Sequence, residues 1–191
     1  MSTRGYAAEA AQLIDRLERL ARSGEARHGV NPAQWEALRY LAQANRFSRT
    51  PAALADYLAS TRGTVSQTLI ALEGKGLVAR RQSARDKRSV DLDLTDAGRR
   101  VLVDDPLQEL ARDLRKGDSD EGLAAAVEVL RDALRRALRR NGSRPFGVCH
   151  ACRHFQKNAS GRGRHHCALI DEPLSEEDSG LICTEQEPVP A

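Results

Sequence analysis

Residues 50–94 read TPAALADYLASTRGTVSQTLIALEGKGLVARRQSARDKRSVDLDL, and the spacing of apolar residues in this stretch decides the fold. Thr50-Pro51 is a helix start, a hydroxyl cap followed by a proline whose missing N–H is not needed at the first helical position. Leu54 and Leu58 carry that helix forward on one face. Ala59 to Gly63 reads as a tight turn, and Thr64 to Gly74 as a second helix with Val65, Leu69 and Leu72 on its inner side. Gly74 and Gly76 end it, because glycine accepts the left-handed backbone of a helix terminus. Two short helices joined by such a turn form a helix-turn-helix, whose second helix can enter a major groove. The period then changes. Leu77 to Arg81 is a short strand, and Val90 to Leu94 alternates apolar and acidic residues as a half-buried strand does. The polar Gln82 to Ser89 joins them as a hairpin loop, and a helix-turn-helix followed by a hairpin is a winged helix.

On either side the chain reads as helix. Asn31-Pro32 is a second cap-and-proline start, with Trp35, Leu38 and Leu41 as the buried face. Before it, Tyr6 to Ala21 places Tyr6, Ala10, Leu13, Leu17 and Leu20 on one stripe, and Gly24 and Gly29 break the pattern. After the hairpin, Thr95 caps a helix running through Ala97, Val101 and Leu102 towards Leu110 and Leu114. Pro106 removes a backbone bond inside that run, so a kink or restart is expected there. Gly117 to Gly122 is a turn, and Leu123, Val127, Leu130, Leu134 and Leu138 form a long stripe ending in Arg135, Arg136, Arg139 and Arg140. Asn141 to Pro145 is a linker by composition. The expected architecture is mainly α with a small β-hairpin wing (α+β). Residues 1–140 form a domain with a winged helix at about 31–95 and outer helices at about 6–23 and 96–140, and 141–191 is a linker and cysteine-rich tail. A winged helix cannot cover the apolar faces of three further helices, so these are expected to pack against a second copy in a two-fold dimer.

Composition narrows the chemistry. The 191 residues are 40% apolar and 30% charged, enough for a core and too balanced for a disordered chain. Aromatics, at 4%, are too few for stacking platforms that hold single strands. No run approaches the ~18 apolar residues of a membrane span, and Met1 to Tyr6 lacks an apolar signal core, so a soluble cytoplasmic protein is expected. Nothing supports an enzyme, since there is no glycine-rich phosphate loop and no Ser/His/Asp arrangement. Positive charge is instead concentrated. Between Thr61 and Leu92, Arg62, Lys75, Arg80, Arg81, Arg85, Lys87 and Arg88 outweigh Glu73, Asp86 and Asp91, a net of +4 where the whole chain carries +3. A patch of this kind binds phosphates by releasing counterions. The second helix would present Thr61, Arg62, Thr64, Ser66, Gln67 and Thr68 to double-stranded DNA, Gln67 pairing with adenine and Arg62 with guanine or phosphate. Arg85, Lys87 and Arg88 would reach a minor groove from the hairpin, and Asp86 suits a salt bridge with Arg88 that stiffens the loop.

These residues resemble the MarR family of bacterial winged-helix repressors. The matching features are Asn31-Pro32-Ala33-Gln34-Trp35 with Leu38 and Leu41, the helix-turn-helix Leu54 to Gly74, and Gly76-Leu77-Val78. Most specific is the wing, with Arg85-Asp86-x-Arg88 and then Leu94-Thr95-x-x-Gly98. The likeness covers roughly residues 6 to 140. It implies a sequence-specific transcriptional regulator acting as a homodimer on palindromic operators, with interleaved terminal helices. It also implies a small-molecule effector bound between the dimerisation and winged-helix parts. The tail after Asn141 departs from the family core.

All four cysteines, Cys149, Cys152, Cys167 and Cys183, lie in that tail. In a reducing cytosol metal ligation is a better reading than disulfides. Cys149-x-x-Cys152 clamps two adjacent coordination sites, and the two single cysteines complete a tetrahedron. The tail's short charged segments, such as Ser175-Glu176-Glu177-Asp178, form little core, so a metal is needed to hold it. The spacing, with Cys152-x-x-Phe155-Gln156, Cys167-Ala168-Leu169 and Leu181-Ile182-Cys183, is similar to that of high-potential iron–sulfur proteins. That resemblance implies a four-iron cluster, whereas the four thiolates alone are equally open to zinc. His150, His154, His165 and His166 crowd the region but are expected to be solvated or outside the ligand set, and Glu185 is a weaker ligand candidate. Placed after Asn141, the site hangs on the last dimerisation helix, where it would act on the DNA-reading helices as a metal- or redox-responsive element. An iron–sulfur electron-transfer module that uses the winged helix for protein contacts is the alternative, against which the concentrated charge argues.

Overall fold

A computed structural model describes residues 3–23, 27–83, 87–117, 119–143 and 146–189. Gly24, Arg85, Asp86, Arg144 and Pro145, to which the sequence assigns roles, lie outside the described residues. The chain is mostly helical, with a small antiparallel hairpin as its wing. In order it forms α1 (Thr3–Ser23), α2 (Pro32–Gln43), α3 (Pro51–Tyr57), α4 (Arg62–Gly74), β1 (Val78–Gln82), β2 (Val90–Leu94), α5 (Asp96–Val103), α6 (Pro106–Gly117) and α7 (Asp120–Arg140). The tail adds β3 (Gly147–Val148), β4 (Phe155–Gln156), β5 (Arg164–Cys167), β6 (Glu172–Ser175), α8 (Glu176–Gly180) and β7 (Ile182–Cys183). Among the described residues no helix is long and apolar enough to cross a membrane.

The core is the winged helix. Trp35, Leu38 and Leu41 of α2, Leu54 of α3, Val65, Leu69 and Leu72 of α4, and Leu92 and Leu94 of β2 are all buried in one cluster. Each such side chain contributes about 1.5–3 kcal/mol on leaving water. Local chemistry sets where the elements begin. Asn31 Oδ1 accepts a hydrogen bond from Gln34 N while the Asn31 N–H donates to Gln34 Oε1, a reciprocal cap at the start of α2. Thr50, Thr61 and Thr95 cap α3, α4 and α5 with their hydroxyls. Thr61 makes α4 begin at Arg62, two residues before the expected start, because its Oγ1 accepts the Thr64 N–H at 3.1 Å. The turn between α3 and α4 is made instead at Ala59, which takes a left-handed φ of 47°. β1 and β2 pair antiparallel from Val78↔Leu94 to Gln82↔Val90.

Pro106 restarts the helix as expected. The α5–α6 break is fixed by Asp105, whose carboxylate accepts the Leu107 N–H at 2.9 Å and receives Arg39 of α2 through Nε and Nη2 at 2.9 and 2.6 Å. α1 packs on α6 and α6 on α7, outside the winged helix. Their apolar stripes are exposed. Leu13, Leu134 and Val129 are 53%, 59% and 68% accessible, and α7 buries none of its side chains.

The tail does not lie against these outer helices, where the sequence reading placed it. It folds back onto the turn between α2 and α3. Asn45 N donates to Ile182 O at 2.9 Å, Thr184 N donates to Ser48 Oγ at 2.9 Å, and Arg46 pairs with Asp178 at 2.9 Å. Phe146 stacks edge-on against Tyr40 and Tyr57. The reason is apolar surface: the tail's own core is Cys149, Leu174 and Cys183, and it is completed by Phe47 from the body.

Candidate functional site

Two sites emerge from this frame, an outward face of α4 with its hairpin and a cysteine-lined cavity in the tail. On α4, Thr61, Arg62, Thr64 and Gln67 are exposed and Ser66 and Thr68 half-buried, so the six residues expected to read DNA share the first turns of the helix. Their hydroxyls are partly committed. Thr61 Oγ1 and Thr64 Oγ1 are hydrogen-bonded at 2.8 Å, and Thr68 Oγ1 donates to Thr64 O at 3.1 Å. Arg62 and Gln67 therefore carry most of the outward polar chemistry. Helical spacing puts Gly63, Gln67, Ile70 and Gly74 along one outward crest. Ile70 is 53% exposed and was missed from sequence, where an isoleucine inside an apolar run reads as core.

Partners redistribute the basic patch. Arg80 pairs with Glu73 at 2.7 Å, Arg81 with Asp93 at 3.5 Å, and Lys75 Nζ donates to Gln34 Oε1 at 2.6 Å. Exposed pairs of this type contribute little and rearrange readily. On the β2 side of the hairpin loop Lys87 and Arg88 are exposed. The Lys87 carbonyl accepts Gln82 Nε2 at 2.8 Å, and Ser83 N donates to Ser89 O at 3.0 Å, so the pairing extends beyond the two strands to Ser83 and Ser89. The expected Asp86–Arg88 bridge falls partly outside the described residues.

In the tail, Cys149, Cys152, Cys167 and Cys183, all unbridged, line one cavity of about 220 Å³ together with Phe47, Phe155, Leu169, Ile170, Leu174, Thr184 and Glu185. Segments distant in sequence supply them: a 3-10 turn at Cys149–Ala151, the ends of β5 and β7, and the body through Phe47. β3 pairs with β7, and β4, β5 and β6 form a three-stranded sheet, which together hold the four sulfurs around the space. Cys149 shares a hydrogen bond with Cys183 that raises its own thiol and brings Cys183 down to about 6, helped by the Glu185 backbone N–H against the opposing effect of burial. Asn45 Nδ2 donates to Cys149 Sγ at 3.2 Å and Glu187 N to Cys152 Sγ at 3.5 Å. The histidines are occupied elsewhere. His150 Nδ1 meets Ser179 O at 3.0 Å and His166 pairs with Asp171 at 3.0 Å. Buried His165 accepts Asn158 N at Nδ1, so its Nε2 carries the proton towards Glu176. Glu185 lines the cavity, as its candidacy required.

A family model described as MarR family matches residues 28–89, the span from before α2 to the hairpin tip. Solved structures share the fold. A MarR transcriptional regulator from Methanosarcina mazei Go1 superposes with a TM-score of 0.57 at 20% identity, covering 71% of this chain and 98% of its own. The transcriptional regulator BldR from Sulfolobus solfataricus gives 0.55 at 20%, covering 71% and 99%. The S. aureus MepR–DNA complex gives 0.55 at 23%, covering 69% and 97%. Nearly the whole of each relative is therefore matched, while a part of this chain about the size of its tail is not. No curated protein matches the chain in sequence. The fold is that of MarR-type winged-helix regulators.

Proposed function

We propose that the chain is a MarR-type transcriptional regulator that binds duplex DNA as a homodimer. The observation that carries this reading is a winged helix whose second helix turns Arg62, Gln67 and Ile70 outward beside a paired, cation-tipped hairpin. α4 enters the major groove, where Gln67 meets an adenine edge, Arg62 a guanine or phosphate, and Ile70 a thymine methyl. Thr61, Thr64, Ser66 and Thr68 flank these contacts. Lys87 and Arg88, with Arg85, follow the backbone into the adjacent minor groove. That one of the similar structures is a DNA complex supports the same docking.

The dimer follows from the bare stripes of α1, α6 and α7. A second copy is the occupant, because these helices come from both ends of one chain, lie together outside the core, and carry matching leucine rows that water disfavours. Two recognition helices about 34–36 Å apart then read a palindrome. The family resemblance implies a small-molecule effector between the dimerisation and winged-helix parts, and a metal- or redox-borne signal would enter through the four-cysteine cavity. The test is fluorescence anisotropy of the full-length protein on DNA from its own upstream region, at increasing salt. Affinity should fall by about 10³–10⁵ between 50 and 200 mM salt if six to ten phosphates are neutralised. A chain that is monomeric in sedimentation and indifferent to that DNA overturns the reading.

A further inference from the structure

We infer that the tail cavity holds a four-iron, four-sulfide cluster on Cys149, Cys152, Cys167 and Cys183, and that Asn45 of the α2–α3 turn is a positioning residue linking it to the helix-turn-helix. The first argument is volume. Protein interiors leave few voids larger than a water, and a water occupies about 30 Å³ of liquid. A space of about 220 Å³ between the four thiols, beside a buried core of only Cys149, Leu174 and Cys183, has room for an occupant larger than a single ion. The four thiols around it identify the chemistry of the occupant.

A single zinc ion is a poor match to the space. Zinc holds sulfur at about 2.3 Å, which draws four thiolates into mutual contact and leaves no cavity between them. A four-iron cluster takes four thiolates, the set of sulfurs lining the space, where His150, His165 and His166 are turned to other partners and Glu185 stands on the wall. Phe47, Phe155 and Leu174 give the space apolar walls, and N–H groups from Asn45 and Glu187 point at two of the sulfurs. Such donors tune clusters and orient their ligands. As each iron–thiolate bond forms, one cysteine gives its proton to solvent and its sulfur is not oxidised; iron and sulfide arrive with the cluster.

The link to the DNA-reading part is one turn long. Asn45 binds the Cys149 sulfur through its side chain and Ile182 through its backbone, while its Oδ1 accepts the Phe47 N–H at 3.1 Å. Arg49 O, in the same turn, accepts the N–H of Leu92 in β2 at 2.7 Å, and Thr50 caps α3. Filling the cavity fixes this turn, and with it α3 and the wing. That consequence rests on the DNA-binding reading, whereas the cluster itself does not.

The full-length protein, loaded under argon with iron and sulfide, should turn brown and carry four iron and four acid-labile sulfide per chain. The Cys167→Ala variant should lose both. Colourless protein with one zinc per chain, or iron without labile sulfide, overturns the cluster whether or not the variant folds. Asn45→Ala should keep the iron but lower the cluster's reduction potential, since an N–H donor to sulfur favours the more negative reduced state; an unchanged potential removes Asn45 from the site. DNA affinity should differ about tenfold between loaded and cluster-free protein. Equal binding by both forms overturns the link, and binding by neither, with iron and sulfide in place, overturns the DNA-binding reading and the link with it but leaves the cluster standing.

Discussion

Gly98 shows what one position can require. It lies in the first turn of α5, and a Cβ there would collide with the Leu77 carbonyl oxygen and press Leu94 Cδ2 at 3.3 Å. Thr95 completes the junction, donating its N–H to Leu77 O at 3.1 Å and its hydroxyl to Gly76 O at 2.6 Å. The Leu94-Thr95-x-x-Gly98 motif is thus the geometry that seats α5 on the root of the wing. Gly98→Ala should cost about 1–3 kcal/mol, an overpacking penalty, read as a lower urea midpoint with an unchanged slope. On α4 the contrast is between reading and holding. Gln67→Ala should relax preference at one base pair by about 1–3 kcal/mol. Lys87→Ala should weaken binding alike on all sequences and reduce the salt slope by about one. Competition with single-base operator variants separates the two. Gln67 was legible from sequence because polar residues early in such a helix face outward; Ile70 was not, since its exposure depends on where the core ends.

Among the elements, α2 is tied to the start of α6 by a single buried ion pair. Arg39 and Asp105 meet in a two-point ion pair with side chains only 15% and 6% exposed, and the same carboxylate caps α6. Removing one partner strands a buried charge, so Asp105→Ala should destabilise by about 3–5 kcal/mol. The double variant Arg39→Met/Asp105→Leu should recover much of that loss in denaturant unfolding. This joint connects the winged helix to the outer helices. The proline that starts α6 was visible in the sequence as a break; the ion pair that aims the break was not, because its partners are 66 positions apart.

For the molecule as a whole, the exposed apolar rows on α1, α6 and α7 are where the proposed dimer can be tested. Leu130→Asp with Leu134→Asp should leave the winged-helix core intact, as α7 buries no side chain in the single chain. It should nevertheless shift sedimentation from dimer to monomer and cost most of the affinity for a palindrome. An unaltered dimer would place the interface elsewhere.

The sequence by itself determined whatever depends on neighbours along the chain. Caps at Asn31, Thr50 and Thr95, the change of period at Leu77, the break at Pro106 and the confinement of cysteine to the tail all follow from short-range chemistry. Only the tertiary structure decided where the tail sits. A segment so poor in apolar residues has no periodic face to announce its partner, and it finds one in Phe47, Asn45 and Ser48, some hundred positions earlier. Tertiary contact also decided the partners of the basic stretch, since Glu73 takes Arg80 only once α4 and β1 are folded against each other, and Asp93 takes Arg81 only once the hairpin has closed.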